Sequence, residues 1–286
     1  MSTDNEALRL GIVPLRPLTL SDLVSGTVQA LRRNPRALFG GGLIVAVLAE
    51  LVTVAVTVLV VGGLPEVPTT AMPTFAELRP YLIATLIALL VVEVMALVLV
   101  GVVNVVVPRA VFGHVTGLRT ALSAMLPKLP RLFGILAAIG VMMLGIAAIA
   151  VGAIAVGGEA GMLLALPGVV AIVYLSMAFT FAASVAVVED KGVIESLRRS
   201  RTLVHAVGWW RVFGILLLAG LATGIVSAIV GAVFETVSGG SALGISLATI
   251  LTSAVFAPAM TVLTTLLYID HRCRSEGIEG LWREAA

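Results

Sequence analysis

The segment "RVFGILLLAGL" (Arg211–Leu221) opens a run that carries no charge until Glu235. Nearly the same phrase occurs twice more, as "RLFGILAAIG" from Arg131 and "RALFGGGLIVAV" from Arg36. In each, an arginine, a phenylalanine and a glycine lead into a stretch long enough to cross bilayer hydrocarbon, which takes about 20 residues. Six such stretches occur, at Ala37–Gly63, Tyr81–Val107, Leu132–Val156, Met162–Val188, Val212–Val237 and Ala242–Tyr268. Each is slightly longer than a perpendicular crossing needs, so tilt is expected. The pattern predicts an all-α polytopic membrane bundle. The short alternating segments of a membrane β-barrel are absent from the sequence.

Composition points the same way. Of 286 residues, 59% are hydrophobic and 12% charged, against about 25% charged in an ordinary soluble domain. Mean hydropathy is +1.13, too apolar for a chain that must keep a wetted surface.

The charges are unevenly distributed. The N-terminal tail, the second and fourth connections and the C-terminal tail hold 17 of the 18 basic residues; Arg79 alone falls on the opposite side. The positive-inside rule therefore predicts both termini in the cytoplasm. The opposite loops carry Glu66, Glu77, Glu159 and, at a helix end, Glu235. A basic face beside anionic lipid is the expected consequence, and nucleic acid need not be invoked. The first apolar run follows a polar segment too long for a signal-peptide n-region, so it is expected to remain as an anchor. The single cysteine, Cys273, precludes an internal disulfide. Sixteen arginines against two lysines, with abundant Ala, Val and Gly, suggest a GC-rich bacterial genome.

Each arginine-phenylalanine-glycine phrase ends a short amphipathic stretch. In Leu20–Arg33, Leu20, Leu23, Val24, Val28 and Leu31 form one apolar stripe, while Ser21, Asp22, Gln29, Arg32 and Arg33 face away. Thr19 and Asp22 have capping-box spacing, and Asn34-Pro35 ends the helix. Before Arg131 the stripe is Leu118, Leu122, Met125 and Leu126. Before Arg211 it is Val193, Leu197, Val204 and Val207, with Arg198, Arg199 and Arg201 on the polar side. The chain thus reads as one membrane domain, 1–286, of three units, about 17–107, 109–188 and 191–268, with tails 1–16 and 269–286. Each unit is an interfacial helix followed by a membrane hairpin.

Two explanations fit these helices. In the first they anchor the protein, with Arg32, Arg33, Arg36, Arg131, Arg198, Arg199, Arg201 and Arg211 at lipid headgroups and Trp209 and Trp210 in an aromatic belt. In the second they form a docking ring for a protein partner on the cytoplasmic face. The repeated Phe-Gly and the Gly220-Gly224-Ala228 series suggest close helix packing. Ser176, Thr180 and Ser184 share one face of the fourth span, and Pro167 and Pro258 are candidate kinks.

Glu50 and Glu93 lie near the midpoints of the first and second spans, which form one hairpin. A carboxylate there costs about 2.5–3.5 kcal/mol or more, and no span offers a basic partner. Protonation removes that cost. A proton shared between them, or a bond to Asn104 or Thr53, would make a structural clamp; a proton path or cation site is the functional alternative.

Enzymatic constellations are missing. His114, His205 and His271 occupy separate segments without metal-ligand spacing, and there is no nucleophile elbow, phosphate loop or HExxH. No catalytic residue, metal or cofactor is expected. Glu189-Asp190 and Asp270 lie at helix ends beside basic residues, where solvated pairing is expected.

Three segments resemble a known group: "IVPLRPLTLSDLVSGTVQALRRNPRALFG", "VVEDKGVIESLRRSRTLV" and "TVLTTLLYIDHRCRSEGIEGLW". They are similar to bacterial six-helix membrane proteins, namely the membrane domain attached to some glycerophosphodiester phosphodiesterases and its stand-alone actinobacterial relatives. The resemblance implies the fold and the bacterial inner membrane. It does not imply phosphodiesterase activity, because the His-Arg-Gly and acidic metal-site motifs of the soluble hydrolase domain are missing; His271-Arg272 is followed by Cys273. The expected function is a non-enzymatic membrane scaffold or accessory protein in contact with lipid. The rival class is a proton-coupled transporter using Glu50 and Glu93.

Overall fold

The computed structural model describes residues 11–14, 16–63 and 75–277; Arg9, Glu66 and Arg283 lie outside the described residues. The described chain forms nine α-helices: α1 (Leu20–Arg33), α2 (Pro35–Val61), α3 (Phe75–Val111), α4 (Leu118–Met125), α5 (Leu129–Ala178), α6 (Ala182–Val188), α7 (Val193–Val207), α8 (Trp209–Val237) and α9 (Ala242–Glu276). A short 3-10 turn, Leu126–Lys128, joins α4 to α5. Six helical segments are long and apolar enough to span a membrane. They are α2, α3, the two arms of α5, α8 and α9, with α6 extending the second arm of α5. Helices α1, α4 and α7 each precede a pair of spans.

Local chemistry explains the breaks. Thr19 caps α1: the Asp22 amide donates to Thr19 Oγ1 at 3.2 Å while the Thr19 amide donates to Asp22 Oδ2 at 3.0 Å. Two orphan donors are thereby satisfied reciprocally. Pro35 occupies the first turn of α2, where its missing N–H costs nothing. The two arms of α5 part at Gly158, whose φ of +54° and ψ of −127° lie outside the helical region and suit a residue without Cβ. Pro167 and Pro258 sit inside α5 and α9 without interrupting them.

The fourth span departs from its expected continuity. It stops at Ala178 and resumes at Ala182, so Ser176, Thr180 and Ser184 do not share one helical face. Ser200 of α7 makes the interruption tolerable: its hydroxyl donates to Ala178 O at 2.8 Å and accepts the Phe181 amide at 3.1 Å. Broken backbone bonds persist at membrane depth when a neighbour replaces them.

The core gathers at the arginine-rich end. Leu38, Val103, Val106, Phe181, Val185, Leu203, Val204, Val212, Leu266 and Leu267 are buried there, joined by Ile12, Val13 and Leu18 from the segment ahead of α1. α9 is the hub, packing against α1, α2, α3, α7 and α8. From Val262 to Arg272 nearly every side chain of α9 is buried, on all faces. Farther from this end the spans show large apolar residues outward, among them Ile149, Val156, Ile225 and Val237. Such outward apolar faces belong in hydrocarbon.

Close packing at glycine is selective. Gly134 faces Val193 and Gly42 faces α9, but a Cβ on Gly40, Gly214, Gly220 or Gly224 would meet nothing within 4 Å. The expected close approach at those four positions is therefore not made within the described residues. At Gly42 a Cβ would sit 2.8 Å from Ala254 O and 3.0 Å from Pro258 Cγ. Gly42→Val is expected to push α2 from α9 and lower the unfolding free energy by about 1–3 kcal/mol. Gly40→Val is the control, and equal stability of the two variants in detergent would refute the close-approach account.

Candidate functional site at the arginine-rich end

α9 ends in "YIDHRCRSE", Tyr268–Glu276, and this stretch organises two buried charge clusters. Helical spacing divides it. Tyr268, Arg272 and Glu276 follow one another at four-residue steps along one face, and Asp270 and Arg274 along another.

On the first face the focus is Glu189, whose side chain is only 4% exposed. Tyr268 Oη donates to Glu189 Oε1 at 2.9 Å, and Arg199 Nε donates to Oε2 at 3.2 Å. Arg272 Nε lies 3.7 Å from Glu189 and 3.3 Å from Glu276, and Lys191 Nζ is 3.6 Å from Glu189. Arg199 also pairs with Glu276. These bonds tie α9 to α7 and to the turn after α6.

On the second face Asp270, 0% exposed, accepts the Leu18 amide at 2.6 Å and Arg211 Nη2 at 2.9 Å. Arg274 Nε donates to both its oxygens, at 2.9 and 3.0 Å. The same two arginines donate to Leu18 O, at 2.9 and 2.8 Å. A closed ring results, fastening the segment ahead of α1 to α8 and α9. Between the faces His271 is fully buried, with Nδ1 3.2 Å from Leu203 O and its ring edge-on to Phe181. Its Nε2 has no hydrogen-bond partner among the described residues.

A third link is exposed. Arg131 Nη1 donates to Asp190 Oδ1 at 2.5 Å, and Lys128 Nζ lies 3.7 Å from it. The Arg131 guanidinium, first by its hydrogen bond and then by its charge, holds the Asp190 carboxyl below the usual carboxylate range.

These positions correct several expectations. Glu189 and Asp270 are not solvated pairs but buried, multiply bonded carboxylates. Arg131, Arg199 and Arg211 are each paired within the protein, Arg131 at an exposed site, because each meets a carboxylate outside its own helix. Arg32, Arg33, Arg36, Arg198 and Arg201 are exposed and have no side-chain partner among the described residues. Trp209 is half-buried, stacked between Tyr174 and Phe213, whereas Trp210 is 76% exposed.

Asn104, Glu50 and Glu93 are not joined. Asn104 is buried and accepts the Thr265 hydroxyl at 3.2 Å, while its amide donates to Val100 O at 2.9 Å. Thr53 donates to Ala49 O at 2.9 Å. Glu50 is half-buried and Glu93 exposed, and neither has a hydrogen-bond or ion-pair partner among the described residues. The clamp, one of the two readings of their matching depth, is therefore not formed among the described residues. No group of three or more metal-ligating side chains occurs among the described residues.

A bundle of six apolar spans, locked at one end by buried ion pairs, defines a multi-pass helical membrane protein. The chain belongs to the family described as Domain of unknown function (DUF7847), whose model matches residues 18–271. That match begins at the Leu18 ring and ends beside Asp270, so it takes in both charge clusters apart from the last turn of α9. No curated protein and no solved structure matches the chain.

Proposed function

We propose that this chain is a non-enzymatic membrane scaffold or accessory protein, seated in a bacterial cell membrane with its arginine-rich end and both termini in the cytoplasm. The observation that carries this reading is the use of the buried acids. Glu189 and Asp270 each accept several cationic or hydroxyl donors, which makes them cross-links and leaves them no free oxygen for proton transfer. Buried networks bonded at several points tie a fold together, although Arg211 Nε in the Asp270 ring has no partner among the described residues. The outward arginines and Trp210 supply contact with headgroups.

The second reading, a proton-coupled transporter, is favoured by Glu50, half-buried in a span without a partner among the described residues. Intramembrane acids mark proton relays often enough to require a test. The test is Glu50→Gln with Glu93→Gln, singly and together, in proteoliposomes under an imposed pH gradient. The scaffold reading expects no protein-dependent proton flux in the wild type. It also expects the two stability effects to add within about 0.5 kcal/mol, as for unconnected sites. Flux in the wild type that disappears in a stably folded double variant would establish the transporter reading instead.

A further inference from the structure

Taking the scaffold reading above as its basis, we propose that the junction of α1, α2 and α4 is a docking surface for anionic phospholipid headgroups. Asn34, between α1 and α2, accepts the Thr116 amide through Oδ1 at 3.1 Å. This buried bond fixes the α1–α2 corner against the turn between α3 and α4. Arg32, Arg33 and Arg36 lie within two residues of Asn34 on one side of this bond, and Arg109, His114 and Arg119 within seven residues of Thr116 on the other. All six are exposed, and none has a side-chain partner among the described residues.

Elsewhere at the arginine-rich end, Arg198 and Arg201 of α7 apart, the described cations are balanced by carboxylates. Arg16, Lys128, Arg131, Lys191, Arg199, Arg211, Arg272 and Arg274 are all paired with carboxylates. The junction's own segments offer no carboxylate: the sequence holds no acidic residue from Leu23 to Ala49 or from Val94 to Pro127. Five permanent cations held together without counter-charge repel one another, and an anion from outside relieves that repulsion.

The surroundings favour a bilayer as the source of that anion. α1 buries Leu23, Ala30 and Leu31 against the protein but leaves Leu20, Val24 and Val28 exposed at four-residue steps along its outer face. Val115, beside His114, is 73% exposed. Apolar residues fringing a cluster of arginines are the signature of a helix lying at the headgroup–acyl boundary. A soluble phosphate would use the charges but not the apolar fringe.

The test is native mass spectrometry of the full chain in a neutral detergent, titrated with phosphatidylglycerol and, separately, phosphatidylcholine. Each arginine near a lipid surface contributes about fivefold in affinity, so Arg33→Gln/Arg36→Gln/Arg119→Gln should weaken phosphatidylglycerol binding roughly 100-fold. Arg198→Gln/Arg201→Gln, on α7 and outside the junction, is the control, and a loss as large as that of the triple variant would overturn the junction as the site. Should the triple variant be unstable, the single variants Arg36→Gln and Arg119→Gln read the same effect at about fivefold each. Equal binding of both lipids, or unchanged phosphatidylglycerol binding in the single variants, would overturn the proposal. Displacement of phosphatidylglycerol by millimolar inorganic phosphate would assign the surface to a soluble anion and overturn its lipid identity. Proton flux in the liposome experiment would instead remove the scaffold reading and leave this lipid titration unaffected.

Discussion

Asp270→Leu is expected to lower the unfolding free energy by about 3–5 kcal/mol, the usual cost of removing one partner from a buried ion pair. The fully buried carboxylate holds the Leu18 amide, Arg211 and Arg274. Without it the amide loses its acceptor inside the protein, and two guanidinium groups face each other across Leu18 O. Asp270→Asn keeps an acceptor for the amide but loses the charge-assisted part of the network, about 1.5–3 kcal/mol. Replacing Asp270, Arg211 and Arg274 together with apolar residues should recover much of the loss, because well-packed hydrophobes often substitute for a buried ionic group. Unfolding in mixed micelles gives the free energies, and amide exchange at Ile12 and Leu18 should accelerate in Asp270→Leu. A change below about 1 kcal/mol would mean that the ring contributes little beyond a surface pair.

Glu189→Leu should cost a comparable amount, about 3–5 kcal/mol, through the other face of α9. It strips a common acceptor from Tyr268, Arg199, Arg272 and Lys191, and leaves Arg272, only 5% exposed, with Glu276 as a remaining carboxylate partner. Arg272→Met should be milder, since Glu189 keeps Arg199, Lys191 and Tyr268. The discriminating measurement is the double-mutant cycle. Glu189→Leu with Arg272→Met should be less destabilised than the sum by about 0.5–3 kcal/mol, the coupling typical of contacting residues. Strict additivity would show that the two side chains do not act as a unit.

The six spans and the α1 cap were legible in the sequence because both are local. About 20 predominantly apolar residues identify a span wherever they lie, and the Thr19–Asp22 box needs only three-residue spacing. The charge clusters were not legible for the opposite reason. Tyr268 and Glu189 are 79 residues apart, and Leu18 and Asp270 are 252 apart. Stripe logic sends arginines to water, which holds for Arg198 and Arg201 but fails for Arg199. Arg199 follows the same periodicity yet turns inward because Glu189 is there to receive it. The interruption at Phe179–Phe181 was hidden similarly, since its replacement partner Ser200 comes from the following amphipathic stretch. Glu50 and Glu93 show the converse: shared depth was legible, but depth along two helices does not fix rotation about their axes.

The central position of α9 bears on how the protein is made. The ribosome delivers α1–α8 before α9, so during synthesis Leu18, Arg211 and Glu189 reach the membrane ahead of Asp270, Tyr268 and Arg272. Until then the early helices hold polar groups whose permanent partners do not yet exist. They must stay hydrated, or be shielded by the insertion machinery, at the mouth of the translocation site. Closure of the Asp270 ring is thus a late event that reports the arrival of the sixth span. A chain that stalls short of it would leave Arg211 without its carboxylate and the seam that α9 fills without its apolar side chains.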